Sequence, residues 1–210
     1  NGGIILAIVG KDFTVIAGDT HQSEGYSIQT RCAPNVFRLY KIYRAVLAVN
    51  GFAADWNTFV NQVKQRLEWY RHAHAKDMSL RASARLIQTM LYARRFFPYY
   101  VYNILGGIKE DGSYKCAVQS LVQPFLDNQV YVPSWDIHMT HPAHLPLAMV
   151  IDSFTSATER HVEIGDGLEM YIVLAKGRSA QELASISGLA EITTKAEGDR
   201  MFVIKQELKD

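Results

Sequence analysis

The chain has 210 residues, 48% of them hydrophobic and 20% charged, a balance that supports one globular domain over 1–210 with a sizeable core. Its net charge is +1, from 22 Lys and Arg against 21 Asp and Glu, so no basic excess points to nucleic acid or a membrane surface and no acidic excess points to a basic partner. The two cysteines, Cys32 and Cys116, suit a reducing compartment better than a disulfide scaffold; no apolar run reaches membrane-spanning length and no signal-peptide pattern opens the chain, so a soluble protein of the cytoplasm or nucleus is expected.

The elements follow in chain order. Ile4–Val9 and Phe13–Ala17 are β-branched runs around Gly10-Lys11-Asp12 and predict a hairpin. Ser27–Thr30 and Phe37–Lys41 suggest a second hairpin, broken at Ala33-Pro34-Asn35. Ala45–Val49 is a short apolar run ending at Asn50-Gly51, as expected for a strand buried on both faces. Phe52, Trp56, Phe59, Val60, Val63, Leu67 and Tyr70 recur at helical spacing. A second helix is expected from Ser79, a suitable N-cap, to Arg95, with Leu80, Ala84, Ile87 and Leu91 as its stripe and Pro98 preventing continuation. The short turn between the two helices predicts antiparallel packing.

Val101–Ile108 returns to strand character, and Ser113–Val118 is expected to pair with it across Glu110-Asp111-Gly112. Leu121–Leu126 suits a short helix and Tyr131–Pro142 a loop. Leu145–His161 is a third helix, with Leu147, Val150, Ile151 and Phe154 on one face. Glu169–Leu174 and Met201–Ile204 are strands; the polar stretch Gly177–Gly198 between them holds at most a helical turn at Ala180–Ile186. Helices segregated from antiparallel strands indicate an α+β fold, and two sheets between helical layers would bury these faces.

Few side chains announce chemistry. His138, His141 and His144 lie three residues apart, but Pro142 breaks helical geometry and Asp136 is the one nearby carboxylate, so a solvated or interface loop is favoured over zinc. His72 and His74 fall at a helix end, where imidazoles suit the C-terminal dipole. Nothing local lowers the pKa of Cys32 or Cys116, which favours structural thiols. Arg94-Arg95-Phe96-Phe97-Pro98-Tyr99-Tyr100-Val101-Tyr102 concentrates arginine and aromatic rings. Neutral net charge argues against nucleic acid, leaving subunit contact first and core packing second.

The longer stretch Leu91–Gly107 containing this segment resembles the 20S proteasome β subunits, in particular the non-catalytic type at the sixth ring position. Supporting matches run in order: Asn1-Gly2-Gly3 before Leu6-Ala7, Asp19-Thr20 with Ser23-Glu24-Gly25, Gln123-Pro124 with Leu126-Asp127-Asn128-Gln129, and Thr158-Glu159-Arg160 with Gly165-Asp166. Other inactive positions share parts of the pattern, and the third has a similar Arg-Phe-x-Pro-Tyr-Tyr core. The resemblance implies the four-layer αββα sandwich of N-terminal nucleophile hydrolases, two antiparallel sheets between helical layers. It implies as partners the neighbouring β subunits of the same ring, the β subunits of the opposite ring and the α-ring subunits, with no cofactor and no metal.

In active β subunits the first-residue threonine is the nucleophile and its free amine the base. The resemblance places Gly3, with two residues before it, at that position, and Asn35 where the family's pKa-lowering lysine belongs. It places His161 and Ile164 where the supporting Asp and Ser belong; the family's Gly-Ser-Gly-Ser loop has no counterpart near Cys116–Leu121. Asp19 alone matches, and a buried carboxylate is expected to anchor backbone hydrogen bonds. Exposing Thr14 or Thr20 by cleavage would delete the first strand, at a cost above the marginal stability of a domain. No catalytic residue is therefore expected; the competing expectation is an active amidohydrolase of the same fold with an unrecognised nucleophile. The chain departs from the family in being short between Gly107 and Gln123 and in an apparent surface insertion at 178–200.

Overall fold

Alternation along the strands sorts the apolar residues into separate layers. In the computed structural model, which describes residues 3–9, 13–25, 27–39, 45–108, 114–116, 144–159, 165–174, 195–196 and 201–208, β1 (Ile5–Val9) and β2 (Phe13–Asp19) pair antiparallel with Ala7 opposite Ile16. Because side chains on a strand alternate faces, Leu6, Val15 and Ala17 point to one side of this sheet and Ile5, Ala7 and Ile16 to the other. The sheet is completed by β9 (Gly167–Leu174), β10 (Lys195–Ala196) and β11 (Met201–Glu207), in the order β1-β2-β9-β11-β10.

The second sheet, β5-β6-β7-β8, comprises Val36–Arg38, Ala45–Gly51, Val101–Ile108 and Tyr114–Cys116. Ala45–Val49 is buried on both faces, as the apolar run predicts: Leu47 and Val49 face helices while Val46 and Ala48 face the first sheet. Helices α1 (Ala53–His74) and α2 (Leu80–Ala93) share one apolar cluster with β6, built on Trp56, Phe59, Val60, Val63, Leu67 and Ile87. Helix α3 (His144–Thr158) covers the opposite outer face through Val150 and Phe154, both fully buried against Leu168, Met170 and Ile172. The layers therefore run α3, first sheet, second sheet, α1 with α2: the expected αββα arrangement.

The sheets approach closely at Gly106, where a Cβ would lie 2.5 Å from Cδ1 of Ile16, a separation that real Cβ atoms essentially never show.

Three local expectations are corrected. Ser27–Thr30 (β4) does not pair with the strand after Pro34. It pairs with β3 (Gln22–Glu24) in a separate ribbon, while Val36–Arg38 joins β6. The reason is burial: all four residues of β4 are exposed, whereas Val36 enters the core between the sheets. On α2 the fully buried position is Ser83 and not Ala84, while Leu80, Ile87 and Leu91 pack inward as expected; the Ser83 hydroxyl donates to the Ser79 carbonyl at 3.0 Å, which satisfies a polar group placed there. The helix also stops at Ala93, with Arg94 as its C-cap, two residues before the expected Arg95.

Ser79 does cap α2, its Oγ accepting from the Ala82 N–H at 3.3 Å, and Tyr114–Cys116 does pair with β7. The expectations for Leu121–Leu126, Tyr131–Pro142, the short stretch to Gln123, Ala180–Ile186 and the 178–200 insertion lie outside the described residues, apart from β10.

Candidate functional site

Gly3, Asp19 and Asn35 are far apart in sequence, and the strand order brings them together at one end of the first sheet. Asp19 closes β2, Gly3 lies just ahead of β1 and Asn35 just ahead of β5. Asp19 is fully buried. Its Oδ1 accepts from the Ile4 backbone N–H and from the Asn35 side-chain amide, both at 3.0 Å. Its Oδ2 makes no hydrogen bond among the described residues. Burial pushes the carboxyl up from an ordinary 3.8 to about 7, against the pull of the Ile4 and Asn35 hydrogen bonds. Asp19 is thus the backbone anchor expected for a buried carboxylate.

The space beside Gly3 is closed to a side chain. A Cβ built on Gly3 would lie 2.9 Å from both Nδ2 of Asn35 and Oδ1 of Asp19, and Gly3 holds φ at +98°, a conformation side-chain-bearing residues rarely adopt. The Asn50 amide donates to the Gly3 carbonyl at 3.1 Å and fixes the chain from the far side. Nothing in the sequence announces the contribution of Asn50, because it depends on pairing across 47 residues. The two early hydroxyls are engaged or enclosed: Thr20 Oγ1 donates to the Arg31 carbonyl at 2.7 Å, and Thr14 is fully buried within β2. His161 and Ile164 lie outside the described residues.

A second polar cluster, missed in the sequence for the same long-range reason, sits one residue past Thr20. His21 Nδ1 lies 2.5 Å from Asp166 Oδ2, and Arg31 reaches Asp166 Oδ1 at 3.4 Å. Asp166 takes φ +59°, and its carbonyl accepts from the Leu208 N–H at 2.8 Å. The cluster therefore ties the ends of β2 and β11 to the start of β9.

The other candidates separate in space. Among the described residues no group of three His, Cys, Asp or Glu is arranged for a metal. His138 and His141 lie outside them, and His144 begins α3. His72 and His74 occupy the exposed last turn of α1, where the His74 ring stacks 4.3 Å from Tyr70. Cys32 is an exposed free thiol, and Cys116 ends β8. No described helix is long and apolar enough to cross a membrane.

The arginine–aromatic segment divides. Tyr99 turns inward, stacking 5.8 Å from Phe59 and donating to Gln62 Oε1 at 3.2 Å. Its neighbours turn outward: Phe96 and Phe97 are 87% and 84% exposed, and Tyr92, Tyr100 and Tyr102 more than half. The Arg95 guanidinium lies between the Tyr92 and Phe96 rings, 4.8 and 4.4 Å from their centroids. Core packing and outward display thus both occur, on different rings.

With this geometry in place, similarity to known proteins is informative. Residues 1–118 match the family model described as proteasome subunit. The chain is 44% identical over 206 residues to proteasome subunit beta type-6 of Saccharomyces cerevisiae, covering 84% of this chain and 85% of that protein. It is 39% identical over 201 residues to proteasome subunit beta type-1 of Danio rerio, covering 84% and 82%. It is equally similar, at 39%, to proteasome subunit beta type-1 of Arabidopsis thaliana, covering 84% and 89%.

Proposed function

Because the chain belongs to the proteasome subunit family, as a β-type subunit, we propose that it is a non-catalytic member of the 20S core particle, at the sixth position of the β ring. The observation that carries the first part is the closed contact at Gly3. A threonine nucleophile needs a hydroxyl and a base close to it, and a neighbouring cation to lower the pKa of the pair. Here glycine supplies no hydroxyl, and Asn35 supplies a neutral amide that binds Asp19 instead. The Leu91–Gly107 segment and the likeness to a beta type-6 subunit support the ring position.

The role of the subunit is architectural. It assembles with neighbouring β subunits in its ring, with β subunits of the opposite ring and with α-ring subunits, and it forms part of the wall of the chamber in which proteins are degraded. Peptide bonds are cleaved there by threonine nucleophiles on other chains. The particle works in the cytoplasm and nucleus. No cofactor takes part in this reading.

The test is covalent trapping. The assembled particle is treated with a mechanism-based reagent that captures N-terminal threonine nucleophiles, and each chain is weighed by mass spectrometry. Adducts are expected on other β chains and none on this one. A stoichiometric adduct on this chain would overturn the non-catalytic reading.

A further inference from the structure

Where the chain enters β7, two phenols stand side by side in the open. Tyr100 immediately precedes β7 and Tyr102 is its second residue; in extended chain, residues two apart share a face. The two side chains are 63% and 55% exposed. Their rings meet edge-on, with centroids 5.8 Å apart and planes at 77°.

Backbone contacts hold this entry from both sides. The Tyr100 N–H donates to Asp55 Oδ2 at 2.9 Å, and the Tyr100 carbonyl accepts from the Phe52 N–H at 2.9 Å. Tyr102 lies opposite Asn50 in the β6–β7 ladder. At Gly51 an added Cβ would lie 2.4 Å from the Tyr100 oxygen, so the close approach of the two chains needs glycine there.

The placement favours one reaction. A phenol that gives up an electron and its proton becomes a phenoxyl radical, whose unpaired spin is shared with the ring carbons ortho to oxygen. Two such radicals couple by forming a bond between ortho carbons. The ring hydrogens at the joined carbons then move to the oxygens, which restores both phenols. The pair has lost two electrons and two protons, and one molecule of hydrogen peroxide takes them up to become two waters. Reactants held together couple far faster than the same groups on separate chains. The neighbouring tyrosines are less suited. Tyr99 turns inward onto Phe59, Tyr70 stacks on His74, and the Arg95 cation over Tyr92 opposes removal of an electron from that ring.

We propose that Tyr100 and Tyr102 are a site of oxidative modification, at which a one-electron oxidant of the peroxidase class, with hydrogen peroxide as the electron acceptor, joins the two rings by a carbon–carbon bond within one chain. The bond closes a covalent loop over Val101 and fixes the entry to β7. The inference does not rest on the ring position or on the absence of catalysis.

The experiment treats the purified full chain with a haem peroxidase and limiting hydrogen peroxide. Its thiols are first alkylated, because Cys32 is exposed and would consume oxidant. The monomer is then digested with trypsin, which releases both tyrosines in the peptide Phe96–Lys109. The expected product is that peptide lighter by two hydrogen atoms. It should fragment on either side of 100–102 but not between those residues, and its yield should not change when the protein is diluted. Tyr100→Phe and Tyr102→Phe should each abolish it, and Tyr92→Phe should leave it intact. Each variant should unfold within about 2 °C of wild type, as suits exposed residues, so loss of product reports the missing hydroxyl and not a damaged fold. Cross-links confined to covalent dimers, cross-links joining other tyrosines in place of this pair, or product surviving in either Tyr100→Phe or Tyr102→Phe would overturn the proposal, as would oxidation that leaves Phe96–Lys109 unmodified.

Discussion

Asp19→Asn tests the energetics of the Gly3 site directly. Burial raises the Asp19 carboxyl from 3.8 to about 7, so between those values the folded chain keeps a proton that the unfolded chain has released. Stability contributed by this group is therefore fully present below about pH 4, falls as pH climbs towards 7 and levels off above. A displacement of that size corresponds to about 4 kcal/mol, a large share of the 5–15 kcal/mol typical of a domain. Asparagine keeps an oxygen to accept from Ile4 and Asn35 and never ionises. The two proteins should match within about 1 kcal/mol at pH 4 and below. The variant should then gain on wild type, by about 4 kcal/mol at pH 8. Urea denaturation of both chains at half-unit pH steps measures the difference directly, because the other titrating groups are common to both. Parallel stability curves from pH 4 to 8 would refute the claim that a buried, protonatable carboxyl holds the start of β1.

Gly3→Thr should create no peptidase activity and should lower stability by about 1–3 kcal/mol, since its Cβ meets Asn35 and Asp19 and its φ is unfavourable; fluorogenic peptide hydrolysis and thermal unfolding report the two effects. Phe154→Ala empties the contact between α3 and the first sheet and should cost about 3–5 kcal/mol in urea denaturation. Ser79→Ala removes the cap on the Ala82 N–H and should cost about 1 kcal/mol by the same measurement.

Much of the fold was legible where one face of an element had to be apolar. The Ala45–Val49 run and the stripe from Trp56 to Leu67 each specify burial without reference to distant residues. Legibility failed where a polar group made the choice. Ser83 takes a fully buried place on α2 with its hydroxyl bonded back to Ser79, and the wholly exposed β4 found its partner through backbone pairing that no periodicity signals. At the site, Asp19 and Asn35 were located by family pattern. Their contact, the Asn50 bond to Gly3 and the His21–Asp166 pair arise from closures of 16 to 145 residues, which a linear reading does not rank.

The strand order also dictates a timetable. The second sheet draws β5 to β8 from one continuous stretch, Val36 to Cys116, and can pair as it leaves the ribosome. The first sheet cannot, because β2 has β9 as its outer neighbour and β9 in turn has β11. The β1–β2 hairpin, made early, therefore keeps an unpaired edge until Leu174 has been synthesised, and the sheet is complete only near the chain's end. An apolar hairpin with an open edge is a template for wrong pairing. For this subunit, nascent chains need shielding most during synthesis of the second half, before β9 arrives.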